Sequence, residues 1–254
     1  MEARMTEQNT KVRIDLSVQT ATPLSVGAGG SAGTLADKSI VRDGWGRAII
    51  PGSQVKGKTR HTAEALVRAL RLPVYALFDE DTEPSPGKPA KKDVVRLLFG
   101  SPRQRSPLRF TDLVGVVGDE QQIDPTRLPP DEVQQNVGRI RPSVSLNRRR
   151  GTAEDARLLF QETTLEDMRF VGRKAITGTL DSSLLPLNEH LGLVALLWAA
   201  LRLTTRWGGA KSRGLGWSSV EATVYCNGTE VSPEELEHAL STLVANVRAA
   251  EGGA

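Results

Sequence analysis

The sequence predicts an α+β fold whose elements run strand, helix, strand, strand, helix, strand. Three observations carry that prediction. Lys11 to Gln19 alternates strictly, with apolar residues at 12, 14, 16 and 18, as a half-buried strand does. Ala63, Leu66, Val67 and Leu70 mark one apolar face of a helix from about Gln54 to Leu72, and Lys56, Lys58, Arg60 and Arg68 lie off that face. Leu191 to Trp198 is apolar nearly all round, the pattern of a buried helix.

The other elements follow in order. Ser53 is the expected N-cap of the first helix. Residues 79–92 are rich in proline and charge and read as a loop, with a short helix expected over 92–99. Arg109 to Val117 predicts a second strand, and 119–136, with three prolines, an irregular insertion. Arg169 to Leu180 alternates weakly and predicts a third strand. Asn188 is the expected cap of the buried helix, and Ser218 to Cys226 the fourth strand. Ser232-Pro233-Glu234-Glu235 is a capping box with proline at the first helical position, opening a last amphipathic helix to about residue 250. Without the insertions this is the split βαβ order of ferredoxin-like and RNA-recognition folds.

Composition narrows the function classes. The chain has 254 residues, 33 Lys+Arg against 30 Asp+Glu, and a net charge of +3. A lone cysteine, Cys226, excludes an intrachain disulfide scaffold and a cysteine-based zinc site. Aromatic residues make up only 4%, so base stacking on many rings is not on offer. The sequence pI near 9.2 permits nucleic acid as a partner without demanding it. No apolar run reaches membrane-span length and the start is polar, so neither a span nor a secretory signal is expected, and the expected location is cytoplasmic.

Two loops concentrate glycine and cations. Gly208-Gly209-Ala210-Lys211-Ser212-Arg213-Gly214-Leu215-Gly216 lets the backbone approach a ligand closely, and with Lys211 and Arg213 it suits a phosphate. It is not a Walker loop, since no Gly-Lys-Ser/Thr ends it. Pro51-Gly52-Ser53-Gln54-Val55-Lys56-Gly57-Lys58-Thr59-Arg60 opens a helix, and a helix N-terminus also favours phosphate. Glycines at 27, 29, 30 and 33 lie in a third loop too long for a mere connector. Arg139, Arg141, Arg148, Arg149 and Arg150 form a basic stretch. Asp15 reads as a solvated charge and Asp43-Gly44 as a turn. His61, His190 and His238 have no metal-ligand spacing.

The two cationic loops carry a resemblance. Ile50 to Arg60 resembles the Pro-Gly-Ser-x-x-(Lys/Arg)-Gly helix start of the RAMP superfamily of CRISPR-associated proteins, and 208–216 resembles its glycine-rich loop. Leu98-Phe99-Gly100, then Leu108-Arg109-Phe110-Thr111-Asp112, and the stretch Ala36 to Asp43 resemble segments of type III (Csm/Cmr-like) backbone subunits. The resemblance spans about residues 12–226. It implies a single domain over 1–254: a ferredoxin-like palm (βαββαβ) at about 11–118 and 166–227, an inserted β-hairpin thumb at about 119–165, and a C-terminal helix at about 233–250.

The resemblance also implies the function. The chain would bind CRISPR RNA within a complex of other Cas subunits, stacked head to tail with copies of itself or related RAMP subunits, and would meet target RNA. Ser53, Lys56, Lys58, Arg60, Arg139, Arg141, Arg148, Gly208, Gly209, Lys211, Ser212 and Arg213 are the implied RNA-binding residues. Asp37 matches the family's cleaving aspartate, which implies attack by the RNA's own 2′-OH, with Mg²⁺ or another divalent cation as the expected cofactor. Two alternatives stay open: a non-cleaving scaffold of the same complex, and a CRISPR RNA processing endoribonuclease with His61 as general base.

Overall fold

The computed structural model describes residues 9–27, 37–74, 93–102, 104–116, 138–181 and 187–252. The expected loop at 79–92 and insertion at 119–136 lie outside them. The chain is a mixed α/β protein with antiparallel sheets. Its elements are β1 (Asn9–Thr20), β2 (Ile49–Ile50), α1 (Gly52–Ala69), α2 (Val94–Phe99), β3 (Leu108–Phe110), β4 (Leu113–Val116), β5 (Arg139–Asn147), β6 (Thr152–Thr163), β7 (Arg169–Asp181), α3 (Leu187–Leu203), β8 (Ser218–Cys226), β9 (Thr229–Val231) and α4 (Pro233–Gly252). The main sheet runs β2-β4-β7-β1-β8-β9, with β3 also paired to β7, while β5 and β6 form a separate hairpin.

β1 is the centre of the sheet because both its edges are paired, to β7 and to β8. Val12, Ile14, Leu16 and Val18 alternate inward and are buried. They meet Val55, Ala63 and Val67 of α1 and the apolar body of α3 in one continuous core. α4 closes over α3 through Leu236, Leu243 and Val247. No helix among the described residues is long and apolar enough to cross a membrane.

Several expectations need correction. The strand expected over 109–117 is two strands, β3 and β4, broken at Thr111-Asp112. The cause lies in β7. Three residues, Arg173, Lys174 and Ala175, stand opposite the single Asp15 of β1, and Lys174 sits at φ 56°. This bulge bends β7, so β3 and β4 pair with its two halves separately. Asp15 is therefore not a mere solvated charge: it accepts the Lys174 N–H at 2.7 Å and pairs with Arg13 at 3.1 Å.

Ser53 does not cap α1. Pro51 is the N-cap and supplies no side-chain bond. The Asp112 carboxylate, at the break between β3 and β4, accepts the Gly52 N–H at 2.7 Å. Gly52 lies against the Phe110 carbonyl, so a Cβ there has no room. Asn188 likewise is inside the first turn of α3 rather than its cap. The capping box of α4 forms as read, with Ser232 and Glu235 bonded reciprocally at 3.0 and 3.2 Å. The short strands β2 and β9 were not expected. β9 follows an Asn227-Gly228 turn, both residues at positive φ, the turn that two-residue hairpins favour.

Because Asp112 caps α1 from a different element, Asp112→Ala should cost about 1 kcal/mol of stability. A urea unfolding midpoint checks this, and Ser53→Ala should leave it unmoved.

Candidate functional site

The start of α1 forms one wall of a cleft of about 550 Å³. Gln54, Lys58 and His61 stand at i, i+4 and i+7, so they share one helix face. Ser53 and Gly57 complete that wall, and Val26, Gly27, Val41 and Lys211 face it. The cleft thus joins α1 to the exit of β1 and to the glycine-rich loop after α3.

The loop is fastened to α1 by its backbone. Gly208 donates its N–H to Gln54 Oε1 at 3.1 Å, and its carbonyl accepts from Lys58 Nζ at 2.9 Å. Gly209 donates to the Ser25 carbonyl at 2.7 Å. Gly208 has φ +70°, and a Cβ there would come within 2.6 Å of the Ser25 carbonyl oxygen, so only glycine fits. Lys211, Ser212 and Arg213 then form one exposed 3₁₀ turn. Partial burial first, and then the neighbouring Lys211, push the Lys58 ammonium down to about 7. Two cations held this close favour an anion between them.

The expected binding residues do not all reach the cleft. Ser53, Lys58, Gly208, Gly209, Lys211, Ser212 and Arg213 gather there or on the loop at its mouth. Lys56 and Arg60 project from another side of α1. Lys56 lies 5.9 Å from the centre of the Phe110 ring, and burial, then Arg60, lowers its pKa. Arg60 is held by Glu64 and by the Gly100 carbonyl, both at 3.0 Å.

The hairpin β5–β6 stands beside the loop, and Arg213 reaches Ser143 on it at 3.4 Å. Arg139, Arg141 and Ser143 share a face with Thr163, Gln161 and Leu159 by register. Arg139 and Arg148 are exposed, and Arg141 makes a long pair, 3.8 Å, with exposed Glu166. The other face carries Ile140 and Val144 opposite Glu162 and Leu158, and these apolar side chains are exposed.

Asp37 is exposed and lies against the hairpin rather than in the cleft. Its Oδ2 accepts the Phe160 N–H at 2.8 Å, and its own N–H donates to the Phe160 carbonyl at 3.0 Å. A carboxylate has about four acceptor sites, so one bond leaves most of its capacity for a ligand. Lys38 beside it is exposed, whereas Arg42 is held by Glu162 at 2.6 Å and by the Gly46 carbonyl at 2.8 Å. Asp43 closes its own turn, accepting from the N–H groups of Trp45 and Arg47.

Among the described residues, no three His, Cys, Asp or Glu side chains come together to hold a metal. Asp37 alone does not make a divalent-cation site. His190 is buried and bonded to Thr10 at 2.9 Å, and His238 is exposed on α4. Of the three histidines only His61 reaches the cleft. Gln54 and Ser25 were not foreseen. Gln54 had a signal, its i, i+4, i+7 relation to Lys58 and His61. Ser25 had none, since its role is set by chain segments about 140 and 180 residues away.

This geometry defines an α/β domain with a cleft bearing Lys58 and Lys211 at one end of its sheet and a basic hairpin beside it. A model of the RAMP superfamily matches residues 17–221, and the chain belongs to that superfamily. Membership indicates a CRISPR-associated, RNA-binding function. Comparison with curated proteins gives no match.

Lys58 predicts a pH dependence. Its pKa is lowered to about 7, so it loses charge as pH rises through that value, while a bound phosphate favours the charged form. RNA affinity should therefore fall as pH rises from 6 to 8.5, by up to about tenfold per pH unit for one linked proton. Fluorescence anisotropy with a labelled RNA reads this. Lys58→Arg, which stays charged, should flatten the profile and so separate Lys58 from His61 on the same wall.

Proposed function

We propose that this chain is a CRISPR RNA-binding backbone subunit of a type III effector complex, and that it cleaves complementary target RNA through Asp37. The observation that carries the reading is convergence. Three sequence segments far apart in the chain, the α1 start, the glycine-rich loop and the Asp37 segment, meet around the base of one arginine-bearing hairpin. In this reading β4-β7-β1-β8 with α1 and α3 is the palm and β5–β6 the thumb. Lys58, Lys211, Ser212 and Arg213 meet guide phosphates, and Arg139, Arg141 and Arg148 follow the RNA along the hairpin. Copies of the chain or related subunits stack head to tail along the guide with other Cas subunits.

The chemistry asked of Asp37 is modest. Its carboxylate takes the proton from a target 2′-OH. The 2′ oxygen attacks the adjacent phosphorus and the bond to the 5′ oxygen breaks. The products are a 2′,3′-cyclic phosphate and a 5′-hydroxyl that takes its proton from water. Exposed Lys38 offers a cation to the charge developing on the phosphate oxygens. A carboxylate is repelled by phosphate, so its presence here serves reaction better than binding.

Two expectations follow. Lys211→Ala with Arg213→Ala should weaken RNA binding equally across guide sequences and flatten the salt dependence by about 0.7 per lost phosphate contact. An unchanged slope would mean the loop faces elsewhere. Asp37→Ala in the assembled complex should lower target cleavage by about 10²–10⁴-fold with guide and target affinities intact. Cleavage at the wild-type rate would make Asp37 a turn residue. If neither protein cleaves target, the chain is a scaffold. His61 on the cleft wall favours one second reading, a CRISPR RNA processing endoribonuclease, and loss of guide-precursor cleavage in His61→Ala alone would select it.

A further inference from the structure

We infer that Glu162 is a positioning residue for target cleavage: its carboxylate locks the Asp37 segment onto the hairpin in one register, an inference that rests on Asp37 as the cleaving group. Asp37 and Lys38 lie along β6, and beyond them Ile40 bridges Gly27 and Arg42 bridges Ala48. Asp37 and Lys38 both donate backbone N–H groups to the Phe160 carbonyl, at 3.0 and 3.3 Å, and the Glu162 N–H donates to the Lys38 carbonyl at 2.8 Å. Lys38 bridges Gln161 in parallel sense.

Backbone pairing of this kind is indifferent to register, because every residue offers one donor and one acceptor. A slip by one residue would turn Asp37 to the opposite side of this pairing. Glu162 removes that freedom. Its Oε2 accepts the Ile40 N–H at 3.0 Å and its Oε1 accepts from Arg42 Nη2 at 2.6 Å. The bond to Arg42 is charge-assisted and partly buried, with side-chain exposures of 27% and 16%, so solvent screens it weakly. Arg42 is in turn tied to the Gly46 carbonyl, and Ile40 is buried in the core. Both anchors are thus fixed to the body of the protein. Glu162 connects that body to the strand whose Phe160 N–H holds the Asp37 carboxylate.

Glu162 touches no reacting atom in this scheme. It acts through the placement of Asp37, and a displacement on the order of 1 Å can cost about 100-fold in rate. The test uses Glu162→Ala and Glu162→Gln in the assembled complex with complementary RNA, read three ways. Single-turnover cleavage at saturating target should fall by about 100-fold for Glu162→Ala. Glu162→Gln, which still accepts from the Ile40 N–H, should fall between that and wild type. Guide and target affinities should be unchanged. Amide hydrogen exchange at residues 37–42 of the isolated chain should speed up in Glu162→Ala without a change in exchange of β1 or α3.

The outcomes separate. Faster exchange with unchanged cleavage overturns the positioning role and leaves Asp37 untouched. Unchanged exchange overturns the anchoring itself. Equal losses of affinity and cleavage would mean Glu162 merely supports the hairpin fold, and overturn the inference. A wild-type complex that does not cleave, or an Asp37→Ala complex that cleaves normally, removes the reading on which the inference rests, whatever Glu162 does.

Discussion

A two-stranded hairpin is marginal on its own in water, and among the described residues β5–β6 pairs with no strand of the main sheet. Everything at the site depends on how its base is fastened. The fastening is the segment Leu24–Val26, which leaves the buried centre of the sheet. Leu24 exchanges hydrogen bonds with Thr164, its N–H going to the hydroxyl and its carbonyl taking the N–H, at 2.9 and 2.8 Å. Ser25 gives its hydroxyl to the Glu162 carbonyl and takes the Gln161 amide at 2.8 Å. On its other side the Ser25 carbonyl takes the Gly209 N–H. Hairpin and glycine-rich loop are therefore registered against one rigid strand end, and through it against each other.

That arrangement explains where the charge goes. Lys58 is held against the Gly208 carbonyl rather than left to swing in solvent, and this brings it close to Lys211 and partly out of water. A lysine in that state is poised between charged and neutral forms at neutral pH, and an arriving phosphate restores the charge. Arg60 and Arg42, by contrast, already have carboxylates at 3.0 and 2.6 Å and hold architecture together. Lys58 and Arg60, two residues apart on α1, thus differ in what holds them: a carbonyl for one, a carboxylate for the other.

Much of the fold is legible in the sequence because its strongest signals are periodic. β1, β8, α1, α3 and the capping box of α4 lie close to where alternation, apolar faces and cap residues put them. The misses share one cause: they depend on residues distant in sequence. The break between β3 and β4 answers a bulge in β7 some sixty positions on. The cap of α1 comes from Asp112, and Asp15 reads as a solvated charge until Lys174 is beside it. At the site the same rule holds. The two cationic loops are local motifs and were readable, whereas the division of α1 into a cleft face with Lys58 and another with Lys56 and Arg60 needed the cleft to be seen. Glu162 looks like any strand carboxylate until Ile40 and Arg42 are found on it.

The face of the main sheet turned away from the helices explains why the site sits at the sheet's end. Ferredoxin-like RNA binders commonly use the open sheet face as a stacking platform. Here the outward positions of β1 are spent on one another's neighbours. Arg13 covers the Tyr225 ring at 3.8 Å and pairs with Asp15, Ser17 accepts from Arg169 at 2.7 Å, and Gln19 donates to Asp167 at 2.7 Å. The exposed indoles of Trp45 and Trp217 each have a face covered, by Arg47 and Arg206. The outward side chains of β1 are thus taken up by their neighbours rather than offered as a flat platform. The proposed function fits that surface: recognition of the sugar-phosphate backbone, which every RNA presents alike, calls for cations and close-approaching glycines rather than a flat aromatic surface. The cleft and the loop at its mouth supply those two things, and the chain's low aromatic content follows from the same choice.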